Sequence, residues 1–396
     1  MKLPAFIKVG IREIYRIVKR HSTRLILFYI PLVVFPLLAL IYQKGALREI
    51  PVAVWDQDHT DVSRMIAEYI NASPSMKVTD YLSSADNPEN YFPNHKERAV
   101  FRIPKGLKRD ILKGKSTKVQ VFTNSSNIIF GNILLREAYT VIGTINDGIL
   151  LKKFQAAGMT PKQAMIMVMP IRVHTKSLFN PNYNYLYYLV PGLLAVLLQM
   201  VVFFAATRAF NSEFNSGSFG ELMETAKGSA LNMLAGKSLA YLLMGIYVAG
   251  IIVLTFRIFG IPFQQKEGQL LLLFSYFILI NIFLGFMIST TITDEILSLD
   301  VAFLYNSPAF VFSGFTFPIF AMPFFSSTIA QFIPYTHFLH AFFKIYQLGA
   351  PFSYTFTDFY KLTVFLIVGF VTSYVALRIR MKSMVSTQKT SLQHAQ

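Results

Sequence analysis

The order of apolar and polar stretches constrains the fold of this chain more than any other feature. One apolar run, residues 25–42, lies near the N-terminus, a polar segment follows over residues 43–182, and five further apolar runs extend to residue 377. A helix needs about 20 apolar residues to cross the hydrocarbon core of a bilayer. The sequence therefore predicts an α-helical membrane protein with six spans and one large domain inserted after the first span.

The composition also favours a membrane protein. Hydrophobic residues make up 53% of the 396 residues and charged residues only 15%, below the roughly 25% that is typical of soluble domains. The net charge of +16 is compatible with nucleic-acid binding, but membrane proteins place Lys and Arg in their cytoplasmic flanks, so no nucleic-acid partner is expected. The sequence contains no cysteine, which excludes disulfides, thiolate metal sites and cysteine nucleophiles.

Charges around the apolar runs predict the topology. Seven Lys or Arg residues and a single acid, Glu13, precede residue 25, while Arg378, Arg380 and Lys382 follow the last run. Cytoplasmic flanks carry the excess of basic residues, so both termini are expected in the cytoplasm, with residues 380–396 as a tail. The first run shows no cleavage site and should remain as an anchor.

Residues 1–24 show helical spacing of apolar side chains between the cations, for example Ile7, Ile11, Ile14 and Val18. This pattern predicts an amphipathic helix on the inner leaflet, with a plain basic flank as the alternative. The five later spans, within residues 183–379, are predicted at about 185–210, 239–256, 269–291, 301–320 and 359–377. Between the last two, prolines and polar residues in segment 321–349 predict short re-entrant or interfacial helices.

The inserted segment 43–182 has the pattern of an extracytoplasmic α/β domain. Strands are predicted at 51–55, 76–81, 99–103 and 118–122. Helices are predicted from a cap at Thr60 or Asp61 to about residue 70, and over residues 107–112 and 128–157. Basic residues cluster between Lys96 and Lys118, and this cluster either meets lipid phosphates or an acidic partner, or forms a solvated face.

Residues 50–58, residues 99–114 and a motif within residues 313–323 follow one another along the chain. In this order they resemble segments of the permease subunits of type-2 ABC exporters, in the multidrug- or lipid-export-like subgroup with a large external domain after the first span. Residues 50–58 are similar to the first external strand of that family, and residues 99–114 to its "IP-x-x-F … L-x-x-G" stretch. The entry to its re-entrant helices resembles a motif formed here by Ser313, Gly314, Phe315, Pro318, Met322 and Pro323.

The loop 211–237 resembles the cytoplasmic coupling loop of the same family. The family pattern consists of acidic, Gly-Thr, acidic-Leu, Thr-Pro and Gly-Lys steps. It is matched here, in order, by Glu213, Gly217, Ser218, Glu221, Leu222, Thr225, Ala226, Gly236 and Lys237. Asn211 and Ser212 replace the usual first charged pair, and Ala226 replaces a proline. The resemblance implies a coupling helix that docks on a separate ATP-binding subunit through Glu213, Glu221 and Glu224 and an apolar anchor that includes Phe219 and Leu222.

The chain itself is not expected to be an enzyme. Gly236, Lys237 and Ser238 look like the end of a phosphate-binding loop, but that motif needs a glycine where Leu231 stands. No cofactor is therefore expected on this chain, and ATP and Mg would be bound by the partner subunit.

Polar residues at membrane depth are functional candidates by default. Gln199 in the second span and Asn281 in the fourth either line a substrate path or form hydrogen bonds between helices. His337 and His340 lie three residues apart with Lys344 beyond. A metal site would need a third ligand, and none is close in sequence, so interfacial packing is the expected role of these histidines.

The leading hypothesis is the permease subunit of an ABC-type efflux complex in the bacterial inner membrane, which exports a hydrophobic or amphiphilic substrate. A second permease copy or a paralogue would complete a dimer, and a periplasmic membrane-fusion protein is a further candidate partner. One alternative is an ATP-driven mechanical or assembly protein that acts through the external domain. Another is a membrane-bound transferase.

Overall fold

Most of the chain is helical in the computed structural model, which describes residues 3–82, 88–262 and 266–394. The chain divides into two units. One, which we call the helical unit, comprises Met1–Gly45 and Ser177–Gln396. The other, which we call the α/β unit, comprises Ala46–Lys176.

The helices and strands are numbered in chain order. The helices are α1 (Ala5–Lys19), α2 (His21–Arg24), α3 (Ile30–Ile41), α4 (Asp61–Ala72), α5 (Pro88–Tyr91), α6 (Leu107–Leu112), α7 (Ile128–Ala156), α8 (Pro161–Val168), α9 (Tyr185–Thr207), α10 (Asn211–Asn215), α11 (Phe219–Thr225), α12 (Ala230–Ile258), α13 (Glu267–Thr291), α14 (Glu295–Asn306), α15 (Ala309–Phe312), α16 (Phe324–Gln331), α17 (Pro334–Tyr346) and α18 (Phe356–His394). The strands are β1 (Ile50–Asp56), β2 (Met76–Tyr81), β3 (Ala99–Ile103) and β4 (Gln120–Thr123). A π-helical turn, Leu25–Tyr29, joins α2 to α3.

Six helical stretches in the described ranges are long and apolar enough to cross a membrane. Five of them correspond to predicted spans: His21–Ile41, Tyr185–Asn215, Ala230–Ile258, Glu267–Thr291 and Phe352–Met384. The sixth is α7, which belongs to the α/β unit. Leu134, Val141 and Ile145 of α7 pack in a core with side chains of the sheet, so its apolar face is already covered by protein.

The predicted fifth span, residues 301–320, is wrong as a single helix. The chain forms α14, then the four-residue helix α15, and becomes irregular from Ser313. Pro308 interrupts the helix because its ring lacks an N–H donor and clashes with the carbonyl four residues earlier. Gly314 then adopts a φ of +84°, which L side chains rarely adopt. The region therefore consists of two short helices followed by a turn.

The predicted re-entrant or interfacial segment contains two short helices, α16 and α17. Pro323 lies at the N-cap of α16, and Pro334 is the first residue of α17. Proline is favoured at such positions because its missing N–H would have no partner within the helix. The position of this segment in a bilayer remains a prediction.

The α/β unit contains one four-stranded sheet in the order β2-β1-β3-β4. Strand β1 is parallel to β2 and β3, whereas β4 is antiparallel to β3. Val52 and Val54 face a core shared with α4 and α7, and Ala53 and Trp55 face a smaller cluster that includes Tyr91. The central strand is thus buried on both faces, as its continuous apolar sequence predicts.

The loop after β1 is held by Asp58. Its carboxylate accepts hydrogen bonds from the backbone N–H of Gly106 at 2.7 Å and of Lys108 at 3.0 Å, and from the Thr60 hydroxyl at 2.8 Å. Burial alone would raise the pKa of Asp58, but these hydrogen bonds outweigh burial and hold the pKa below its usual range. Two segments that the resemblance singled out, residues 50–58 and 99–114, are joined by this contact.

Candidate functional site

Helices α1 and α12 approach each other closely through two glycines. A Cβ on Gly236 would lie 2.5 Å from the Phe6 carbonyl oxygen and 2.6 Å from the Val9 Cβ. A Cβ on Gly10 would lie 3.1 Å from the Gly236 carbonyl oxygen. A side chain at Gly236 would therefore separate the two helices. This crossing brings the polar side of α1 to residues 211–226. They are the part of the predicted coupling loop 211–237 that precedes α12, which already begins at Ala230, and we call them the coupling segment.

Glu213 is the centre of the resulting contact, and it is fully buried. Arg12 donates two hydrogen bonds to its carboxylate, at 2.6 and 3.1 Å. Arg16 lies 3.1 Å from the same carboxylate, Lys237 donates to it at 3.0 Å, and the Ser218 hydroxyl donates to it as well. A buried carboxylate is tolerated when cations and hydroxyls satisfy it in this way.

Lys237 links this carboxylate to a second acid. Its ammonium is fully buried and donates to Glu13, to Glu213 and to the Ala209 carbonyl oxygen. Glu13 in turn accepts a hydrogen bond of 3.2 Å from the Tyr241 hydroxyl. Lys237 therefore ties α12 to α1 and to α10 at one point.

We call this group of charges the ion cluster. Its members are Arg12, Glu13, Arg16, Glu213, Glu221 and Lys237. Three cations and three carboxylates give the ion cluster no net charge, which limits the cost of removing it from water. Only Glu221 is well exposed, with 77% of its side chain accessible.

A second ionic contact lies beside the ion cluster. Glu295, at the start of α14, accepts hydrogen bonds from Arg208 and, at 3.4 Å, from Arg20. Arg380 of α18 donates to the Thr291 carbonyl oxygen at 2.9 Å. The ends of several apolar helices are thus fastened to one another near segment 211–226.

The predicted coupling segment forms α10 and α11, separated by a short turn. Phe219 and Leu222 are fully buried in the helical unit, and Glu213 is buried in the ion cluster. These three side chains are therefore buried within this chain and do not lie on the exposed surface of the segment, and their contact with a partner stays a prediction. Arg12, Arg16 and Lys237 cover Glu213, and Phe219 packs against Phe214 of α10.

The opposite side of the segment is free in the described structure. Gly217, Glu221 and Glu224 are exposed, and Ser218 is half-buried. Asn215, Gly220 and Lys227 are exposed on the same segment. This exposed set, which we call the outer face of the coupling segment, is small and polar.

Sequence reasoning did not connect α1 with the coupling segment. Arg12 lies 201 residues from Glu213 along the chain, so no local pattern reveals the pair. One signal was present: Arg12, Glu13 and Arg16 share a side of a predicted helix whose other side is apolar, and such a polar side needs partners. The exposed side of α1 carries Ile11, Tyr15 and Val18.

The two polar residues predicted at membrane depth are both buried. Gln199 donates a hydrogen bond of 2.8 Å to Asn306 of α14, as expected for a contact between helices. Asn281 donates to the Phe277 carbonyl oxygen of its own helix, also at 2.8 Å. Within the described ranges, the side-chain oxygens of Gln199 and Asn281 have no hydrogen-bond partner. Both remain candidates for a substrate path.

The re-entrant motif is organised around Phe315. Its ring stacks on Tyr188 of α9 and Phe343 of α17, with centroids 5.0 and 5.6 Å apart, and the Tyr188 hydroxyl donates to its carbonyl oxygen at 2.9 Å. The Ser313 hydroxyl oxygen accepts a hydrogen bond from the Phe315 backbone N–H. Pro318 precedes the short helical turn Ile319–Ala321, and Met322 is extended. The motif therefore connects α15 to α9 and α17.

His337 and His340 have separate surroundings. A ring nitrogen of His337 lies 3.0 Å from the Gln331 carbonyl oxygen. His340 is exposed and lies 3.8 Å from Asp358, which also accepts a hydrogen bond of 2.7 Å from Lys344. These contacts are those of packing between α17 and α18.

The family model for ABC-2 family transporter proteins matches residues 21–375. The chain belongs to the ABC-2 transporter family. It is 19% identical over 360 residues to the protein named "Probable multidrug ABC transporter permease YbhR" of Escherichia coli K12, covering 89% of this chain and 92% of that protein. It is 26% identical over 187 residues to "Probable multidrug ABC transporter permease YbhS" of the same organism, covering 45% and 48% respectively.

Membership in the ABC-2 family makes this chain a membrane permease subunit of an ABC transporter. The matched residues contain the coupling segment, Lys237 and the re-entrant motif. They begin after α1, so Arg12, Glu13 and Arg16 lie outside the match. The family match therefore does not cover the part of the ion cluster that α1 supplies, which the structure shows.

Proposed function

We propose that this ABC-2 permease is the membrane subunit of an export complex. A separate ATP-binding subunit hydrolyses ATP with Mg, and this chain moves a hydrophobic or amphiphilic substrate out of the cytoplasm or the inner leaflet. In this proposal the chain itself needs neither a catalytic site nor a cofactor. The observation that carries the proposal is the coupling segment, which is fixed to α1 and α12 on one side and free on the other.

The ion cluster gives the coupling segment a mechanical role. A partner that grips the outer face moves α10 and α11, and Lys237 and Arg12 carry that displacement to α12 and α1. Buried ion pairs hold their geometry because separating them would leave unpaired charges in a poorly solvated site. The apolar side of α1, with Ile11 and Tyr15, fits the surface of the inner leaflet. The coupling segment therefore moves together with α1 and α12 as one rigid body.

The proposal is tested by reversing charge on the outer face. In Glu221→Arg/Glu224→Arg, the buried charges Glu13, Glu213 and Lys237 are unchanged and only the exposed contact of Glu221 with Arg12 is lost, so the chain should still insert and fold, while partner binding and coupling are lost. The chain is captured from native membranes, and the co-purified ATPase activity is measured with and without hydrophobic substrates. We expect at least a tenfold loss of that activity.

A matched control carries the same change of charge elsewhere. In Glu68→Arg/Glu267→Arg, two exposed acids outside the coupling segment are reversed, and full activity is expected. Equal activity in both double variants would reject docking through the outer face. Full activity of the purified chain without any ATP-binding partner would reject the export complex itself.

A second permease chain is part of the proposal. Phe320, Phe324 and Phe325, around the start of α16, are 93%, 87% and 74% exposed, and this exposed aromatic patch fits an interface with a second chain, where aromatic side chains are enriched. It adjoins α14 and α15, in the region of the predicted fifth span. We place the second copy, or a paralogue, against this face and the first span.

The proposed location is the bacterial inner membrane. Both termini and the coupling segment lie in the cytoplasm, and the α/β unit lies outside, where a membrane-fusion protein is a candidate partner. The basic residues at both ends of the chain support this orientation. The sequence lacks cysteine, so single cysteines can be introduced as Lys227→Cys, expected in the cytoplasm, and Lys113→Cys, expected outside. Labelling each variant with a membrane-impermeant maleimide then shows on which side of the membrane that position lies.

One observation favours an alternative. The α/β unit is a separate unit with its own core, which suits a protein that passes ATP-derived force to an external partner without moving a substrate. Measurement of ATPase activity in vesicles distinguishes the two functions. The activity of a transporter responds to its substrate, whereas that of a mechanical or assembly protein does not.

A further inference from the structure

The α/β unit contains a cavity that the transport proposal does not use. Its volume is about 360 Å³, within the range of about 300–1,000 Å³ of small-molecule sites. It lies between α4, α6, α7 and the loop before β4. Its floor is formed by aliphatic side chains: Ile66, Leu107, Ile142, Ile145 and Ile149. None of the described lining residues is aromatic, which favours a flexible alkyl chain over a flat ring system.

The rim of this cavity is cationic. Lys115 and Lys153 line it, and none of the lining residues that the structure describes is acidic. A Cβ on Gly114 would lie 4.0 Å from the Lys153 ammonium, which places that ammonium directly over the loop that carries Lys115. Two like charges facing an apolar floor attract an anionic head group whose tail is apolar.

Hydroxyl donors complete the rim. Ser116 and Thr117 line the cavity beside Lys115. In the part of the chain that the structure describes, neither hydroxyl takes part in a hydrogen bond, so both are free to donate to an oxyanion. Carboxylates and phosphates accept such bonds together with ammonium groups.

From these observations we propose that the α/β unit binds a single-chain anionic amphiphile, with a carboxylate or phosphate held by Lys115 and Lys153 and its alkyl chain on the isoleucine floor. The size of the cavity suits one alkyl chain and excludes a folded partner. The proposal depends on the α/β unit alone, so it stands or fails independently of the export function.

The test uses the full chain in nanodiscs of uncharged phosphatidylcholine. The sequence lacks cysteine, so Asn146→Cys, on the cavity wall, carries a single environment-sensitive fluorophore. Dodecanoate and dodecyl phosphate should each give a saturable blue shift. Inorganic phosphate, dodecanol and dodecyltrimethylammonium should not, because each lacks either the tail or the negative charge. Each CH₂ removed from the tail should weaken binding by up to about fourfold.

Matched charge variants distinguish binding at this cavity from a general effect of the net charge of the α/β unit. Lys115→Glu/Lys153→Glu should weaken dodecanoate binding at least tenfold, whereas Lys113→Glu/Lys118→Glu, outside the cavity, should leave it within about twofold of the original. Ile149→Phe, which fills the floor, should weaken binding while the head-group contacts remain. Fluorescence of Trp55, the one tryptophan of the sequence, verifies that the α/β unit is folded.

Three results would overturn the proposal. One is the absence of a saturable response to either anionic probe. Another is an equal loss of binding in both double-lysine variants, which would show a diffuse effect of net charge. The third is equal binding of dodecyltrimethylammonium, which would show that the rim does not select for a negative head group.

Discussion

Glu213 holds a full negative charge out of water because donors from three different segments converge on it. Arg12 and Arg16 come from α1, Lys237 from α12, and Ser218 from the turn that follows α10. In this arrangement each charge depends on the others, so removal of one leaves the rest imperfectly paired. Lys237 is affected least, since Glu13 still pairs with it.

Neutralising Glu213 should therefore destabilise the helical unit strongly. We expect Glu213→Gln to lower the free energy of unfolding by about 3 kcal/mol, because Arg12 and Arg16 lose their buried partner. Glu221→Gln, which changes an exposed member of the same cluster, should cost under about 1 kcal/mol. Denaturant unfolding in mixed micelles measures both, and equal losses would contradict a buried role for Glu213.

At the scale of elements, α1 is an integral part of the helical unit. Its contact with α12 depends on Gly10 and Gly236, where the backbones meet without side chains between them. This gives the Gly236-Lys237 pair a structural meaning: the glycine admits α1, and the lysine binds the acids that α1 and α10 present. The occurrence of Gly236 next to Lys237 is therefore explained by helix packing, without a phosphate-binding role.

A methyl group at Gly236 should loosen α1. In Gly236→Ala the new Cβ meets backbone and Cβ atoms of α1, so overpacking should cost about 1–3 kcal/mol. Gly250→Ala is the matched control on the same helix, because a Cβ there has nothing within 4 Å. Hydrogen exchange of the α1 amides should rise at least fivefold in Gly236→Ala only. A similar rise in both variants would contradict the close crossing.

At the scale of the whole molecule, the helical unit leaves an aromatic face uncovered around α14, α15 and α16. A lone chain would present this face to lipid, whereas a second permease would cover it. The interruption at Pro308 matters here, since two short helices and a turn offer a more irregular, interlocking surface than one straight span.

Photo-crosslinking identifies what covers that face. With p-benzoylphenylalanine at Phe325, we expect a crosslinked species of twice the chain mass for a homodimer, or an adduct with a different permease for a paralogue pair. The control position is Ile258, an exposed apolar residue at the end of α12, where crosslinks to lipid are expected. Lipid adducts alone at both positions would contradict a permease interface at this face.

Local features were predictable from the sequence. Strands β2 and β3 and helix α6 lie where alternation and turn residues place them, and five of the six predicted spans have matching long helices. The fifth span was mispredicted because mean hydropathy ignores the interruption by Pro308 and the left-handed turn at Gly314. The resemblance to the family led to the prediction of the coupling loop. Which side of it faces outward depends on Arg12 and Arg16, about 200 residues away, and no local rule supplies that contact.

The packing of Phe315 has a consequence for the transport cycle. Two ring pairs at about 0.5–1.5 kcal/mol each and one hydrogen bond of about the same strength connect it to α9 and α17, a total of about 1.5–4.5 kcal/mol. A cargo that prefers the unfastened arrangement a hundredfold supplies about 2.8 kcal/mol. A ligand with that preference therefore offsets these contacts when their sum lies in the lower half of that range.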